Sequence, residues 1–349
     1  VLGPAKTQSE SRLDGNEIFL RISGWWRLGG LTQSGWILVG LGASAVTICS
    51  AVCHEELCEM LTALITGTST GIGRATALKL ARSGLTVWAT MRDPSMGASL
   101  RSIADDEGLD LRILQLDVED EGSVQAAFEQ TGGIDVLVNN AGLSPVGSVE
   151  EFELAQWKQL FETNVFGLIR CTQAALPHMR NQAFGRIINI SSVAGRVAIP
   201  MFGPYSSSKW AVEALTETLA SEASIFGIHV CLIEPGAVAT PIREKTGQPD
   251  RNSPYRPVAK NWGFSVGYDH AFPSEPEDVA DCVAELVADP SPPLRVTVGR
   301  GVQQMVELRA RHNDEEWVDL WSLETSDFLS TWESLTGDDL TDLSQLPDS

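Results

Sequence analysis

Basic residues are scarce in this chain of 349 residues, where 25 lysines and arginines stand against 46 aspartates and glutamates. The formal net charge of −21 repels nucleic-acid phosphates and anionic lipid headgroups, so neither is expected as a general partner. We interpret the charge as a contribution to solubility. Hydrophobic residues still make up 43% of the chain, which is enough for a sizeable core.

Cysteine is scarce too. The six cysteines are scattered and include no CxxC pair, and a chain of this length needs no disulfide framework. Cys53, His54 and Cys58 lie close together, but their spacing matches no zinc pattern, so no metal site is predicted. This cysteine usage favours a reducing compartment.

Residues 1–59 are an N-terminal extension with one uncharged stretch, residues 35–53. As a helix this stretch would span ~28 Å, close to the thickness of a bilayer core. Arg21 and Arg27 precede it and Glu55 follows, which is typical of a membrane anchor with its N-terminus inside. Alternatively, Met60 is the true start and residues 1–59 are a non-native upstream segment. We expect a cytoplasmic protein, with anchoring through residues 35–53 as the alternative.

Residues 60–311 alternate short apolar runs with longer amphipathic ones, as expected of one catalytic domain. The predicted strands are residues 63–65, 86–89, 112–116, 136–138, 186–190, 229–233 and 295–298. The predicted helices include residues 74–83, 123–130, 157–178, 208–226 and 276–288. Such alternation predicts an α/β fold in which a parallel sheet is covered on both faces.

Residues 312–349 carry eleven acidic residues and no lysine or arginine. Tryptophans and other large apolar residues are interleaved with the acids. This pattern predicts one or two C-terminal helices packed on the domain, followed by an acidic tail. A partner-binding tail is the alternative.

A glycine-rich run, residues 66–73 (TGTSTGIG), follows the first predicted strand and opens the first predicted helix. Glycines let the backbone approach a pyrophosphate closely, and a helix N-terminus offers free N–H groups and a positive dipole end. In this strand–turn–helix context the run predicts a dinucleotide site.

Tyr205 and Lys209 lie four residues apart in a predicted helix and therefore share one face. A free tyrosine, with a pKa of about 10, is a weak base near neutrality. A nearby cation favours the phenolate, so we expect Lys209 to lower the pKa of Tyr205 and make it a general acid/base. Ser192 ends a predicted strand and is expected to hydrogen-bond the substrate oxygen, with Ser191 as the alternative.

Together these motifs resemble those of the short-chain dehydrogenase/reductase family, in its single-domain NAD(P)(H)-dependent branch. The resemblance covers about residues 61–300 and includes an NNAG element at residues 139–142 and a PG motif at residues 235–236. Residues 89–94 and 292–299 further resemble hydroxysteroid- and retinol-dehydrogenase-like members. The resemblance implies a Rossmann-type, doubly wound parallel sheet of about seven strands in three layers, forming a single catalytic domain.

The resemblance also implies which residues form the site. The expected catalytic residues are Asn164, Ser192, Tyr205 and Lys209. Asn164 is expected to kink its helix and to hold a water linked to Lys209. The expected cofactor-binding residues are Gly67, Thr68, Ser69, Gly71, Ile72, Gly73, Arg92, Asp117, Val118, Asn140, Ala141, Gly142, Tyr205, Lys209, Pro235, Gly236, Val238 and Thr240. The expected substrate pocket is lined by Ser144, Val146, Met201 and Phe202.

The end of the second strand bears on which cofactor is used. The family places there the acid that binds the adenosine ribose, but this chain has Met91 followed by Arg92. Without that carboxylate a 2′-phosphate is not repelled, and an arginine can bind it. NADP(H) is therefore favoured. NAD(H) stays open because Asp93 lies nearby.

The resulting hypothesis is an oxidoreductase that moves a hydride between NADP(H), or NAD(H), and a lipophilic alcohol, ketone or aldehyde. Residues 242–272 are expected to be a long irregular segment, and the resemblance implies that it covers the substrate. A catalytically silent, NAD(P)-binding regulatory relative is the alternative, against which the intact catalytic set argues. The resemblance implies a homodimer or homotetramer formed through the helices that carry Asn164 and Tyr205.

Overall fold

The computed structural model describes residues 61–242 and 252–340, together with four three-residue strands nearer the N-terminus. These strands form two antiparallel pairs, β1 (Lys6–Gln8) with β2 (Arg21–Ser23) and β3 (Trp26–Leu28) with β4 (Leu31–Gln33). Val1–Met60 and Leu61–Ser349 are separate compact units. The predicted anchor at residues 35–53 lies outside the described residues. No described helix combines the length and the apolar character needed to cross a bilayer.

Seven parallel strands form one sheet in the order β11-β10-β9-β8-β5-β6-β7. The strands are β5 (Thr62–Ile65), β6 (Thr86–Met91), β7 (Leu111–Gln115), β8 (Val136–Asn139), β9 (Gly185–Ile190), β10 (Ile228–Pro235) and β11 (Arg295–Val298). All seven overlap the predicted strands, and the Rossmann-type fold is confirmed. The chain reverses its direction across the sheet between β5 and β8, and ligands of such sheets bind outside the strand ends at this switch point.

Helices flank the sheet. They are α1 (Gly71–Arg82), α2 (Ala98–Glu107), α3 (Glu121–Thr131), α4 (Leu154–Phe161), α5 (Leu168–Gln182), α6 (Gly203–Ser224), α7 (Arg256–Ala271), α8 (Pro276–Ala288), α9 (Val302–Arg311), α10 (Asp314–Ser322) and α11 (Thr325–Thr336). Their ends follow from local chemistry. Asp120, for example, starts α3 by accepting the N–H groups of Gly122 and Ser123, and Gly132 ends it in the left-handed conformation.

The central strands are apolar on both faces because helices cover both sides of the sheet. Leu64 and Leu137 are fully buried, and one core cluster joins them to Cys171 and Met179 of α5 and to Ile187 of β9. Burial of this kind is the main source of stability of such a layer.

Residues 242–272 were expected to be irregular, and this expectation is wrong for most of the described part of that segment. The helix α7 spans Arg256–Ala271, with a proline in its first turn. Gly263 and Gly267 lie inside this helix, although glycine disfavours helix interiors. Contacts with the C-terminal helices outweigh that propensity, because Asn261 and Phe264 of α7 pack against them.

Candidate active site

The glycine-rich run forms the turn between β5 and α1 at the switch point. Gly67 and Gly71 have φ values of 72° and 58°, a conformation that favours glycine. A Cβ on Gly73 would lie 2.4 Å from both Gly67 O and Asn140 Nδ2, so no larger residue fits. Thr70 makes no side-chain cap at the start of α1, and no acid lies in the first turn. The free N–H groups there fit an anionic phosphate.

Asn140 braces this turn. Its Nδ2 donates to Thr66 O at 2.8 Å and to Gly67 O at 3.1 Å. The Thr66 hydroxyl in turn accepts the N–H groups of Asn140 and Ala141, each at 3.0 Å. The side chain of Asn140, expected to contact the cofactor, is thus committed to holding the glycine turn in shape.

The segment after β10 meets the glycine turn from the opposite side. A Cβ built on Gly71 would lie 3.0 Å from Thr240 Cγ2, so the two loops are in close approach. Gly236 N donates to Val298 O at 2.9 Å, and Val238 forms a parallel bridge with Ser274. Of the expected cofactor contacts, Gly236, Val238 and Thr240 therefore come to the same sheet edge as the glycine turn.

The end of β6 presents a cation rather than an acid. Met91 is buried, whereas Arg92 is exposed and makes no ion pair with a described residue. The carboxylate of Asp93 accepts Ser95 N at 3.0 Å and caps the 3-10 turn Pro94–Gly97. Hydrogen bonds from Ser95 hold the pKa of Asp93 below its usual value. The Asp93 carboxylate is therefore engaged by Ser95, and the exposed Arg92 guanidinium can bind an anion.

The turn after β7 carries Asp117 and Val118. The Asp117 carboxylate accepts a hydrogen bond from Glu119 N at 3.1 Å. The backbone N–H of Asp117 donates to the Ser123 hydroxyl at 3.0 Å. Val118 is buried, and a Cβ on Gly167 would lie 2.7 Å from its Cγ2. These contacts fix the turn at the carboxyl end of the edge strand β7.

Three hydroxyl groups converge after β9. Ser192 caps the 3-10 turn Val193–Gly195, where its Oγ accepts Ala194 N at 3.2 Å. Tyr205 lies in the first turn of α6, and the neighbouring hydroxyls of Ser192 and Ser144 act to lower the pKa of its own hydroxyl. Ser144 was expected only to line the pocket, and no spacing in the sequence revealed its contact with Tyr205.

Lys209 lies one turn further along α6. It is buried, its Nζ donates to Ile190 O at 2.8 Å, and it lies 5.8 Å from the centroid of the Tyr205 ring. Burial lowers the pKa of Lys209 to about 8, while the carboxylate of Glu213 acts to raise it.

The pKa of Tyr205 differs from the expectation that Lys209 lowers it. Burial raises the pKa of Tyr205 above its usual value, and the hydrogen bonds from Ser192 and Ser144 offset only part of that rise. The physical reason is that loss of hydration penalises the phenolate, while the Lys209 ammonium is engaged with a backbone carbonyl.

Asn164 lies in a π-helical turn, Glu162–Gly167, between α4 and α5. Its side chain accepts Leu143 N at 2.8 Å and donates to Leu143 O at 2.9 Å and to the Ser208 hydroxyl at 3.0 Å. It thus ties the loop that carries Ser144 to α6. The water relay to Lys209 stays a prediction.

A model of the short chain dehydrogenase family matches residues 61–251. The chain belongs to this family. Retinol dehydrogenase 8 of Bos taurus is 34% identical over 270 residues, which cover 71% of this chain and 85% of that protein. Estradiol 17-beta-dehydrogenase 1 of Rattus norvegicus is 37% identical over 246 residues, which cover 66% of this chain and 72% of that protein.

Among solved structures, a gluconate 5-dehydrogenase from Burkholderia cenocepacia in complex with NADP and tartrate matches with a TM-score of 0.60 and 26% identity. The match covers 70% of this chain and 95% of that one. The resemblance to hydroxysteroid- and retinol-dehydrogenase-like members is confirmed. This short-chain dehydrogenase/reductase is an oxidoreductase with a nucleotide-binding, Rossmann-type fold.

A network of hydrogen bonds between buried polar side chains links the strands of this dehydrogenase that precede the site to two helices. Asn139 Nδ2 donates to Asn189 Oδ1 at 2.9 Å and to the Thr172 hydroxyl at 3.1 Å, and Asn189 Nδ2 donates to the Thr216 hydroxyl at 2.8 Å. These bonds join β8 and β9 to α5 and α6. Sequence reasoning assigned no role to Asn189, and an asparagine inside an apolar strand is the signal that could have found it.

Of the four expected pocket residues, Ser144 and Phe202 lie beside Tyr205. Met201 is buried with φ 62°, and its carbonyl accepts Gly147 N at 2.8 Å, next to Val146. The Phe202 ring lies 5.7 Å from the Tyr205 ring, between centroids, and packs edge-on against Trp262 of α7 at 5.5 Å. The wall next to the Tyr205 ring is therefore apolar and aromatic.

Proposed function

We propose that this short-chain dehydrogenase/reductase transfers a hydride between NADP(H) and the carbinol or carbonyl carbon of a lipophilic substrate, with Tyr205 as general acid/base. The observation that carries the proposal is the convergence of Tyr205, Ser192 and Ser144 hydroxyls beside a buried Lys209. A proton donor and a hydrogen-bond donor for the substrate oxygen are thereby held at one place.

When bound, the nicotinamide cofactor supplies or accepts the hydride. The glycine turn and the uncapped start of α1 would hold its pyrophosphate, and Thr240 lies against that turn. The free guanidinium of Arg92, with Asp93 occupied by Ser95, favours a cofactor with a 2′-phosphate. NADP(H) is accordingly the proposed cofactor, and NAD(H) is the alternative.

In reduction, Ser192 donates a hydrogen bond to the substrate oxygen and Tyr205 passes it a proton. The raised pKa of Tyr205 keeps its hydroxyl protonated near neutrality, which suits this donor role. The positive charge of Lys209 then favours the phenolate that remains.

The apolar wall supports a lipophilic substrate. The Phe202 ring lies beside the Tyr205 ring, and Trp262 packs on Phe202, so aromatic surface adjoins the proposed acid/base. Two relatives are named for retinol and estradiol, and both compounds have extended apolar skeletons. We therefore place the substrate among retinoid-like or steroid-like alcohols, ketones and aldehydes.

The test is a panel of carbonyl compounds assayed with both cofactors. All-trans-retinal, estrone, an aliphatic aldehyde and 4-nitrobenzaldehyde are each mixed with NADPH or NADH, and oxidation is followed at the nicotinamide absorbance band. We expect turnover with NADPH and a preference for the larger apolar compounds. Tight NADPH binding without turnover on any compound would instead favour a catalytically silent regulatory protein.

We further propose that the catalytic domain is residues 60–311 and that the protein forms a homodimer or homotetramer. Large apolar side chains lie exposed on the helices concerned, with Phe166 49% and Trp210 51% exposed. We place the protein in the reducing cytoplasm, which fits three buried free cysteines. Expression from Met60 tests the N-terminal boundary, because full activity would show that residues 1–59 are dispensable.

A further inference from the structure

The two C-terminal helices, α10 and α11, carry a cluster of aromatic side chains. We call Trp317, Trp321, Phe328 and Trp332 the C-terminal aromatic cluster. All four are buried, and adjacent ring centroids lie 5.4–5.9 Å apart. Because each ring contacts at least one other, α10 and α11 pack together as a single rigid unit.

This cluster lies against the segment that follows Ser192. It packs on buried Val197 and on partly buried Val193 and Ile199. The indole N–H of Trp317 donates to Ala198 O at 2.9 Å, across 119 residues of sequence. The C-terminal helices are therefore fixed to the element that also positions the Ser192 hydroxyl.

Asn261 joins the same rigid unit to α7. Its side chain is 1% exposed, and its Nδ2 donates to Trp321 O at 3.3 Å and to Leu323 O at 2.8 Å. Both carbonyls lie at the end of α10, where backbone carbonyls have no partner within the helix. Asn261 is thus a link between α7 and α10 that also satisfies the end of α10.

The neighbour of Asn261 forms the pocket wall. Trp262 packs on Phe202, and Phe202 packs on Tyr205. An added Cβ on Gly263, the next residue, would meet nothing within 4 Å, so the described residues leave open space beside this part of α7. A helix with little packing on one side depends on its remaining anchors to hold a fixed position.

We propose that α10 and α11 clamp α7 through Asn261, and that this clamp holds the Trp262–Phe202 wall in the position that binds large apolar substrates. The inference rests on the proposed function. Asn261 acts as a positioning residue, because it touches neither the reacting atoms nor the expected pocket. If the wall is already ordered before the substrate binds, binding does not have to include the entropy cost of ordering it. The clamp therefore lowers KM for substrates that contact the wall.

The test is Asn261→Asp, which keeps the shape of the side chain and removes both N–H donors. All-trans-retinal or estrone, whichever the wild type reduces faster, is compared with the smaller 4-nitrobenzaldehyde. We expect KM for the large carbonyl to rise about tenfold, or about 1.4 kcal/mol. We expect kcat, KM for 4-nitrobenzaldehyde and Kd for NADPH to change by less than about twofold.

The matched control is Ser322→Ala. Ser322 lies on α10, and its hydroxyl bonds to Val318 O of the same helix at 3.1 Å. This variant should leave both KM values unchanged. If Asn261→Asp does not fold, Trp317→Phe takes its place, because it keeps an aromatic ring and removes the bond to Ala198 O. The same selective rise in KM is then expected.

Two negative results have different meanings. If the wild type reduces the large carbonyl and the variant has a lower Tm with an unchanged KM, the C-terminal helices only stabilise the fold and the inference is overturned. If the wild type reduces no carbonyl with either cofactor, the proposed function itself fails and the inference falls with it.

Discussion

The charge of Lys209 depends on two opposing influences. Burial favours the neutral amine and brings the pKa to about 8, and the carboxylate of Glu213, one turn along α6, opposes this. Glu213 is itself buried, and its Oε2 accepts a hydrogen bond from Arg295 at 2.9 Å. Other charges in the network are Glu217 and Glu234, with Arg196 paired to Glu234. Lys209 is the group whose protonation the proposed mechanism needs.

Glu213→Gln should move the alkaline limb of the pH profile to lower pH. Removing the carboxylate deletes the influence that raises the pKa of Lys209 and leaves the positive charge of Arg295 less fully compensated, which acts in the same direction. As the pH rises, the variant should therefore begin to lose activity already below pH 8. The measurement is kcat/KM for NADPH against pH, which reports groups of the free enzyme.

Glu217→Gln is the matched control, since Glu217 pairs with the same Arg295 but is exposed. Its profile should overlay that of the wild type. Equal profiles for Glu213→Gln and the wild type would contradict the assigned influence of Glu213 on Lys209.

Arg92→Ala should weaken NADPH selectively. Loss of a charge-assisted contact to a 2′-phosphate is worth roughly 1.5–3 kcal/mol, so Kd for NADPH should rise by about one to two orders of magnitude. Kd for NADH should stay the same, as should both values in Arg101→Ala, which removes an exposed arginine of α2. An unchanged ratio of the two Kd values would overturn the role of Arg92.

Elements with a local sequence signal were predicted, whereas an element stabilised by contacts with residues far along the chain was not. The seven strands were predicted because apolar runs bounded by turn residues are local signals. The helix α7 was missed because its stability comes from partners about 60 residues away, such as Trp321. Ser144 was placed in the pocket, but its contact with Tyr205 depends on how Asn164 fixes the intervening loop.

Gly73→Ala tests the glycine turn as an element. The added Cβ would lie 2.4 Å from Gly67 O and Asn140 Nδ2, so the turn must shift. We expect a loss of roughly 1–3 kcal/mol in unfolding free energy, as for other overpacked sites, and at least tenfold weaker NADPH binding. Thermal unfolding and NADPH titration measure the two effects.

Gly263→Ala serves as control, because a Cβ there meets nothing within 4 Å and alanine favours a helix interior. Its Tm should equal or exceed that of the wild type. Wild-type NADPH affinity in Gly73→Ala would show that the turn does not hold the cofactor phosphates.

For the whole molecule, the sheet order brings together residues from five strand ends. Gly67, Arg92, Asp117, Asn140 and Tyr205 belong to segments far apart in the chain, and all follow strands of one parallel sheet. The motif spacing identified this edge, since the carboxyl ends of parallel strands lie together. The C-terminal aromatic cluster could not be placed in the same way, because the sequence holds no local signal that pairs Trp317 with Ala198.

The central claim is that Tyr205 transfers the proton while other residues hold the cofactor, and Tyr205→Phe tests it most directly. Wild type and variant are loaded with NADPH and mixed with the best carbonyl of the panel, and NADPH oxidation is followed in a single turnover. We predict a rate reduced by about two to four orders of magnitude, with Kd for NADPH unchanged. A variant that keeps most of the wild-type rate would contradict the account.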